Sequence, residues 1–190
     1  MNLPALPGVY ALHLLLGESC EIQVGCLGKF LLPPGNYLYF GSACGPGGLR
    51  GRLGRHLRGG RSVHWHIDSL RACAQVQGCY YLALSVTAEA VQAETARLEC
   101  VWSQRLASLP GAIVPVPGFG ASDCRAGCAA HLLAFPPEIG LLNVAAHDLM
   151  FEQRIQQALA TATGVAADSV ITLPAEGSFA TCPVLNATVG

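Results

Sequence analysis

The stretch NYLYFGSACGPGGLRGRLGRHL, residues 36–57, decides the fold because it joins a strand, a glycine-rich loop and a helix. In Asn36–Gly41, tyrosines alternate with leucine and phenylalanine, and this period of two predicts a strand. Ser42–Gly48 is rich in glycine and predicts a loop. In Leu49–Leu57 a leucine recurs every fourth residue, which predicts a short helix. Gly51 and Gly54 each cost that helix roughly 1 kcal/mol of propensity, so they indicate a close approach of the backbone to another group.

Further elements are predicted on both sides of this stretch. The predicted strands are Gly8–Leu16, Glu21–Val24, Val76–Val86 and His131–Phe135. Helical structure is predicted within Val63–Arg71 and, most clearly, over Thr87–Leu109, which is long and has no glycine or proline. Thr87 is the predicted N-cap of that helix because a threonine side chain can accept a hydrogen bond from the first turn.

Pro136 and Pro137 mark a predicted domain boundary. Residues 1–137 are therefore the predicted domain, and residues 138–190 are a C-terminal appendage. The appendage contains one amphipathic helix, at about His147–Thr163, and a short extended segment at Val170–Leu173. It has no recognisable catalytic pattern, so its role is left open.

The composition excludes several classes of protein. Of the 190 residues, 52% are apolar and 12% are charged, whereas soluble proteins have about 25% charged residues. The apolar content excludes an intrinsically disordered chain, and the low charge excludes a coiled coil. No apolar stretch reaches the ~18 residues that span a membrane. The apolar run Val9–Leu16 is short and has no basic residue before it, so a secretory signal is not expected either.

The charges are distributed unevenly along the chain. The net charge is −1, but Ile22–Ile67 holds six basic residues and no acidic one. The rest of the chain holds five basic and twelve acidic residues, so the mean conceals a locally positive region. Ten of the eleven basic residues are arginines, and arginine is suited to planar anions such as phosphate. A solvated arginine-rich surface is the simpler alternative.

Five residues carry the groups that phosphodiester hydrolysis needs. Two tyrosines lie on predicted strands about thirty residues apart, and Arg52 and His56 share one face of a predicted helix. Glu99 lies in the middle of the long predicted helix. A carboxylate can hold a divalent metal ion, a guanidinium can stabilise the charged transition state, and a phenol or imidazole can accept a proton from water. Each of these residues also has a purely structural interpretation, as a strand aromatic, a helix cap or a solvated side chain.

Several segments of the sequence, taken in their order and spacing, resemble the GIY-YIG nuclease superfamily. Gly8-Val9-Tyr10 and Tyr39-Phe40-Gly41 stand at the two signatures, followed by Leu49-x-x-Arg52-x-x-x-His56. Further shared segments are GSACGPGGL (residues 41–49), HWHID (64–68), Glu99-Cys100 and GFGASDC (118–124). The resemblance covers roughly residues 8–135. It implies an α/β fold with a small, mainly antiparallel sheet flanked by helices, one Mg²⁺ or Mn²⁺ ion, and DNA as the partner.

The resemblance also implies a role for each site residue. Tyr10 would be the general base or would position the water, with Tyr39 in the same pocket as its support. Arg52 would bind the scissile phosphate, His56 would assist proton transfer or contact phosphate, and Glu99 would ligate the metal. Glu94, on the same helix, is the alternative ligand. The residues expected to hold the DNA backbone are Arg50, Arg55, Arg58, Arg61 and His64. The HWHID segment has an alternative interpretation, as a buried hydrogen-bonded cluster.

A zinc site is a second possible metal centre. Cys124, Cys128 and His131 offer three ligands within eight residues. Structural zinc usually has a second close pair of ligands, and His64, His66 and Cys100 are the candidates to complete the set. The simpler interpretation is that these cysteines are small buried residues.

The chain has nine cysteines in all, which is an odd number, and they are scattered along the sequence. This pattern predicts a protein of a reducing compartment, the cytoplasm, without a disulfide scaffold.

The sequence therefore predicts a metal-dependent endonuclease that hydrolyses DNA phosphodiester bonds. The alternative is a non-catalytic module on the same fold that binds nucleic acid or another protein. Substrate structure, sequence specificity and oligomeric state are not predicted.

Overall fold

The computed structural model describes residues 3–58, 65–136 and 144–175. The strands are β1 (Gly8–Leu16), β2 (Cys20–Val24), β3 (Gly28–Leu32), β4 (Gly35–Ala43), β5 (Gln75–Ala83), β6 (Leu132–Phe135) and β7 (Ile171–Pro174). The helices are α1 (Gly48–Arg58), α2 (His66–Arg71), α3 (Val91–Ala107) and α4 (Val144–Thr163). None of the helices in these ranges has the length and apolar character that crossing a membrane requires.

Five strands form one sheet in the order β6-β4-β1-β5-β7, and every neighbouring pair is antiparallel. The predicted α/β fold with an antiparallel sheet between helices is confirmed. β1 lies at the centre, and its register with β4 places Tyr10 opposite Gly41 and Leu12 opposite Tyr39. β2 and β3 form a separate antiparallel hairpin.

The two faces of the sheet are covered by different helices because successive side chains of a strand point to opposite sides. Tyr10 and Leu12 of β1 and Tyr39 of β4 pack in one buried cluster with the apolar residues of α1, α2 and the β2–β3 hairpin. Val9 of β1 and Phe40 of β4 belong to the other cluster, which α3 and α4 cover. The predicted site residues of β1 and β4 therefore face α1.

The segment after Pro137 contributes to the same sheet and the same core. β7 pairs with β5 at the edge of the sheet. Phe151, Ile155 and Leu159 of α4 are buried in one cluster with Trp102 of α3. β7 and α4 thus share a sheet and a hydrophobic cluster with elements that precede Pro136. The physical reason is that the apolar surface of α3 around Trp102 needs a cover, and α4 supplies it.

Several elements differ from the sequence-based expectation. The sequence analysis does not predict β3. Four of its five residues alternate between half-buried and exposed, so the strand has no strong apolar pattern. The helix predicted from Thr87 begins at Val91, since the Thr87 carbonyl accepts hydrogen bonds from Ala90 and Val91 in a turn before the helix. Thr87 is therefore not its N-cap. β5 ends at Ala83 rather than Val86.

Candidate functional site

A cleft of about 1290 Å³ opens between α1, α3, the end of β4 and the loop 118–131. It brings together residues that are far apart in sequence. Tyr39 of β4, Arg52 of α1 and Glu99 of α3 all line it. The other residues that bear on its chemistry are Trp65, His66, Arg97, Cys100, Asp123, Cys124, Arg125 and His131.

Tyr10 lies behind this cleft and is completely buried. Its ring occupies the space beside Gly41, where an added Cβ would overlap the Tyr10 hydroxyl. The glycine of the second signature therefore makes room for the phenol of the first. The Arg52 guanidinium lies close enough to both phenols for its charge and hydrogen bonding to lower the pKa of each, against the larger effect of burial.

The electrostatics of the site keep both phenols protonated. Burial raises the pKa of Tyr10 far above its ordinary value, and the negative charge of Glu99 adds to the rise. Burial likewise raises the pKa of Tyr39, to about 12, while the positive charge of Arg52 opposes the increase. At neutral pH both side chains are therefore neutral hydroxyls that can donate and accept hydrogen bonds.

Arg52 is held at the cleft by an aromatic side chain. Its guanidinium carbon lies 4.5 Å from the centre of the Trp65 ring. Such a stack fixes a guanidinium while leaving its N–H groups available. Trp65 immediately precedes α2, and Asp68 caps the start of that helix. Oδ2 of Asp68 accepts a hydrogen bond from the Trp65 backbone N–H at 3.0 Å. The HWHID segment thus has both a structural role, through Asp68, and a surface at the cleft.

His56 is buried between the two tyrosines and does not line the cleft. Its ring centre lies 5.8 Å from that of Tyr10 and 6.2 Å from that of Tyr39. Neither ring nitrogen has a hydrogen-bond partner in the part of the chain that the structure describes. Burial, reinforced by the charges of Arg55 and Arg52, lowers the pKa of His56 to about 4. The imidazole is neutral at physiological pH, so the structure gives it a packing position rather than access to a phosphate.

The predicted arginine surface divides between several places. Arg50 and Arg58 line a second cavity of about 510 Å³, away from the cleft, and Arg55 lies 3.8 Å from Asp68. Residues two and six positions from Arg52 are rotated by about 160° and 120° around the helix, which explains the separation. The structure therefore separates Arg50 and Arg58 from the cleft, and the expectation that the three arginines hold the DNA backbone stays a prediction. Arg61 and His64 lie outside the described residues.

The structure separates the two candidate carboxylates of α3. Glu94 pairs with Arg97 on the helix surface at 2.6 Å and does not line the cleft. Glu99 does line the cleft, and its Oε1 lies 2.9 Å from Nδ1 of His131. Burial alone would lower the pKa of His131, but the hydrogen bond and charge of Glu99, together with Cys124, outweigh it and raise the pKa. Of these two carboxylates, Glu99 is therefore the one that lies in the cleft.

Beside Glu99, four side chains form a group that could hold a metal ion: Cys100, Cys124, Cys128 and His131. Their ligand atoms all lie within 4.8 Å of one another. Sγ of Cys100 is 3.5 Å from Sγ of Cys124 and 3.8 Å from Nε2 of His131. Cys100, one of three candidates to complete the set, is thus the fourth member. The simpler interpretation of these cysteines as isolated buried residues does not describe the arrangement.

The loop 118–131 carries further contacts that the sequence pattern did not assign. The Gly120 N–H donates a hydrogen bond to Nδ1 of His66 at 3.0 Å, and the Phe119 ring packs on His66. Gly120 has a φ of 70°, and a Cβ there would lie 2.9 Å from the Tyr39 ring. Only glycine combines that conformation with so close an approach. The glycines of GFGASDC are the signal that could have placed this loop against β4.

A family model described as "Domain of unknown function DUF123" matches residues 9–151. The match spans the cleft, the Cys/His group and the first part of α4. No curated protein and no solved structure matches the chain.

Proposed function

The chain belongs to the DUF123 family, whose description assigns no activity, and from the cleft we propose that it is a metal-dependent endonuclease that hydrolyses DNA phosphodiester bonds. One observation carries the proposal. Three separate elements bring a hydroxyl, a guanidinium and a carboxylate to one cleft, in Tyr39, Arg52 and Glu99, with Tyr10 directly behind them. These are the groups on which the resemblance to GIY-YIG nucleases depends.

Glu99 is the residue that would hold Mg²⁺ or Mn²⁺. Magnesium sites commonly use one or two carboxylates and complete their coordination with water and substrate phosphate, so a single carboxylate in an open cleft fits. One Glu99 oxygen lies beside His131, which fixes the orientation of the carboxyl group. A cation bound there would neutralise negative charge on the phosphate and on the leaving oxygen. The Cys/His group has softer donors, which suit Zn²⁺ better than Mg²⁺.

Arg52 would bind the scissile phosphate. Its stack on Trp65 holds the guanidinium at the cleft wall, and a planar guanidinium forms two parallel hydrogen bonds to phosphate oxygens. A cation fixed before the substrate arrives needs little reorganisation when charge develops in the transition state. Arg52 is therefore the residue whose removal should affect the chemical step most directly after Glu99.

The tyrosines would position the attacking water. Tyr39 is only 3% exposed but lines the cleft, whereas Tyr10 is completely buried behind it. These positions favour Tyr39 as the hydroxyl that meets water and Tyr10 as its support. This exchanges the roles that the resemblance implies. Because both phenols stay protonated at neutral pH, they orient the water through hydrogen bonds and do not act as preformed phenolates.

A non-catalytic binding module on the same fold is the competing function, and the charge of the cleft bears on the choice between the two. The ionisable residues of the cleft include three arginines and three acids: Arg52, Arg97, Arg125, Glu89, Glu99 and Asp123. A surface built only to hold the DNA backbone would be more strongly basic. The same balance suits an enzyme that completes its charge with a bound cation, so the two functions differ in their metal dependence.

Nicking of supercoiled plasmid tests the proposal. Wild-type chain with Mg²⁺ or Mn²⁺ is expected to nick, and chelator is expected to stop the reaction. Glu99→Gln should lower the nicking rate by orders of magnitude while DNA binding persists, because the substitution removes the carboxylate charge that would hold the metal and leaves Arg52 in place. Glu94→Gln, on the same helix and outside the cleft, is the matched control and should nick like wild type.

Two results would contradict the endonuclease. Nicking at the wild-type rate by Glu99→Gln would remove this carboxylate from the site. DNA binding without nicking on supercoiled, linear, branched or single-stranded substrates, with either metal, would favour the binding module.

A further inference from the structure

We propose that Cys100, Cys124, Cys128 and His131 bind one Zn²⁺ ion in a closed four-ligand site, and that this ion positions Glu99 at the edge of the cleft. The zinc site itself is independent of the nuclease function. Its effect on Glu99 during cleavage rests on the proposed function.

The geometry of the four ligand atoms is close to that of a zinc site. Tetrahedral zinc has Zn–S bonds of about 2.3 Å and Zn–N bonds of about 2.0 Å, so neighbouring ligand atoms are separated by roughly 3.4–3.8 Å. The Cys100–Cys124 and Cys100–His131 separations are 3.5 and 3.8 Å. The largest separation in the group is no more than 4.8 Å. Closing the set around an ion therefore requires only small side-chain movements.

The donor set determines which metal fits. Three sulfurs and one imidazole form a Cys₃His set, which is typical of structural zinc, whereas Mg²⁺ and Ca²⁺ take oxygen ligands. Cys124, Cys128 and His131 come from one short segment, and Cys100 comes from α3, so the ion would join the two. Four protein ligands leave no open position for water, which makes the site structural rather than catalytic.

A second observation points to the ion independently of the sulfur distances. Glu99 Oε1 lies against Nδ1 of His131, and this contact directs Nε2 of the same ring toward Cys100. A carboxylate that holds the far nitrogen of a ligating histidine is a recurrent feature of zinc sites. The Gln104 amide also donates to Sγ of Cys128 at 3.5 Å, which would stabilise a thiolate there.

The position of the site explains what the ion would do. The loop 118–131 has no helix or strand and is attached to α3 through the hydrogen bonds of Ser103 to the Ala130 carbonyl and Gln104 to the Ala126 carbonyl. Cys100 and Glu99 are neighbours on α3, and both line the cleft. Fixing His131 on zinc therefore fixes the partner that holds Glu99.

Metal analysis of the full chain, purified without chelator, tests the site. Elemental analysis is expected to find about one zinc ion per chain. Replacement with Co²⁺ should give the strong sulfur-to-metal charge-transfer absorption of a tetrahedral cobalt–thiolate site. Cys124→Ser and Cys128→Ser should lose both signals, while Cys26→Ser, which alters an exposed cysteine outside the group, should keep them. Wild-type chain that takes up neither Zn²⁺ nor Co²⁺ would overturn the proposal without relying on how any variant folds.

Glu99→Gln tests the link between the ion and the cleft. Loss of an outer carboxylate typically weakens metal affinity about 10-fold to 100-fold, so chelator competition should show weaker zinc binding in Glu99→Gln and unchanged binding in Glu94→Gln. Wild-type zinc affinity in Glu99→Gln would refute the link.

The nuclease function and the role of the zinc ion can be refuted independently of each other. Zinc at one ion per chain with no nicking would leave the zinc site standing and remove the nuclease. Full Mg²⁺-dependent nicking by zinc-free chain would keep the nuclease and refute the positioning role of the ion.

Discussion

His56 shows how a predicted site residue can serve the site without touching a substrate. Its neutral ring fills the space between the two tyrosines, and both of its nitrogens are buried. The i, i+4 spacing to Arg52 correctly predicts that the two share a helix face. It does not reveal which of them reaches the cleft, because that depends on how deeply α1 packs on the sheet.

The buried imidazole makes folding stability depend on pH. Burial and the neighbouring arginines lower the pKa of His56 to about 4, whereas in the unfolded chain it titrates near 6.5. As the pH falls, His56 therefore takes up a proton in the unfolded state before it does so in the folded state. The contribution of the neutral His56 to the free energy of unfolding is complete above pH 6.5 and is lost as the pH falls toward 4. Between pH 7 and pH 5 this loss is about 2 kcal/mol.

Urea unfolding of wild type and His56→Leu at both pH values measures this loss. Wild type is expected to lose about 2 kcal/mol more than the variant, because other titrating groups, including His131, are common to both. Equal pH dependence in the two chains would show that His56 is not held neutral by the fold.

At the scale of elements, α1 distributes its arginines over three surroundings. Arg52 stacks on Trp65 at the cleft, Arg55 lies near Asp68, and Arg58 lines the second cavity. The run of basic residues predicts a positive segment. Its division follows from the helical rotation between positions and from where α2 packs, which the local sequence does not specify.

This division predicts different effects for two substitutions on one helix. Arg52→Ala is expected to lower the nicking rate roughly 100-fold to 1000-fold, because it removes a preorganised donor to the phosphate. Arg58→Ala should stay close to the wild-type rate. Single-turnover nicking at saturating DNA separates the chemical step from binding. A larger loss in Arg58→Ala than in Arg52→Ala would place the substrate on the second cavity instead.

Elements with strong local patterns were predictable, and those defined by distant contacts were not. The sequence predicts β1 with its exact ends, from a short apolar run that the sheet buries almost throughout. It predicts α1 within one residue at each end, from leucines spaced four apart. β3 escaped prediction because its hairpin is half-exposed. β7 was predicted as an extended segment, but pairing with β5 is a contact between positions about ninety apart in sequence.

For the molecule as a whole, the candidate site also divides into parts that local motifs predict and parts that depend on distant contacts. The motifs selected Tyr39, Arg52 and Glu99, and the structure places all three in one cleft. The motifs also selected Cys124, Cys128 and His131, but they left the fourth ligand open. Cys100 joins the group only because α3 packs beside the loop 118–131, and this arrangement is a property of the tertiary fold.

α4 gives the last prediction, because it decides whether residues 144–175 are part of the cooperative fold. Ile155 is completely buried in the cluster that contains Trp102, whereas Met150 on the same helix is 71% exposed. Ile155→Ala should lower the free energy of unfolding by about 2–5 kcal/mol, and Met150→Ala should change it by less than about 0.5 kcal/mol. Tryptophan fluorescence and far-UV circular dichroism in urea should report one shared transition for Ile155→Ala. Two separate transitions, with the fluorescence midpoint unchanged from wild type, would instead make this segment an independent appendage.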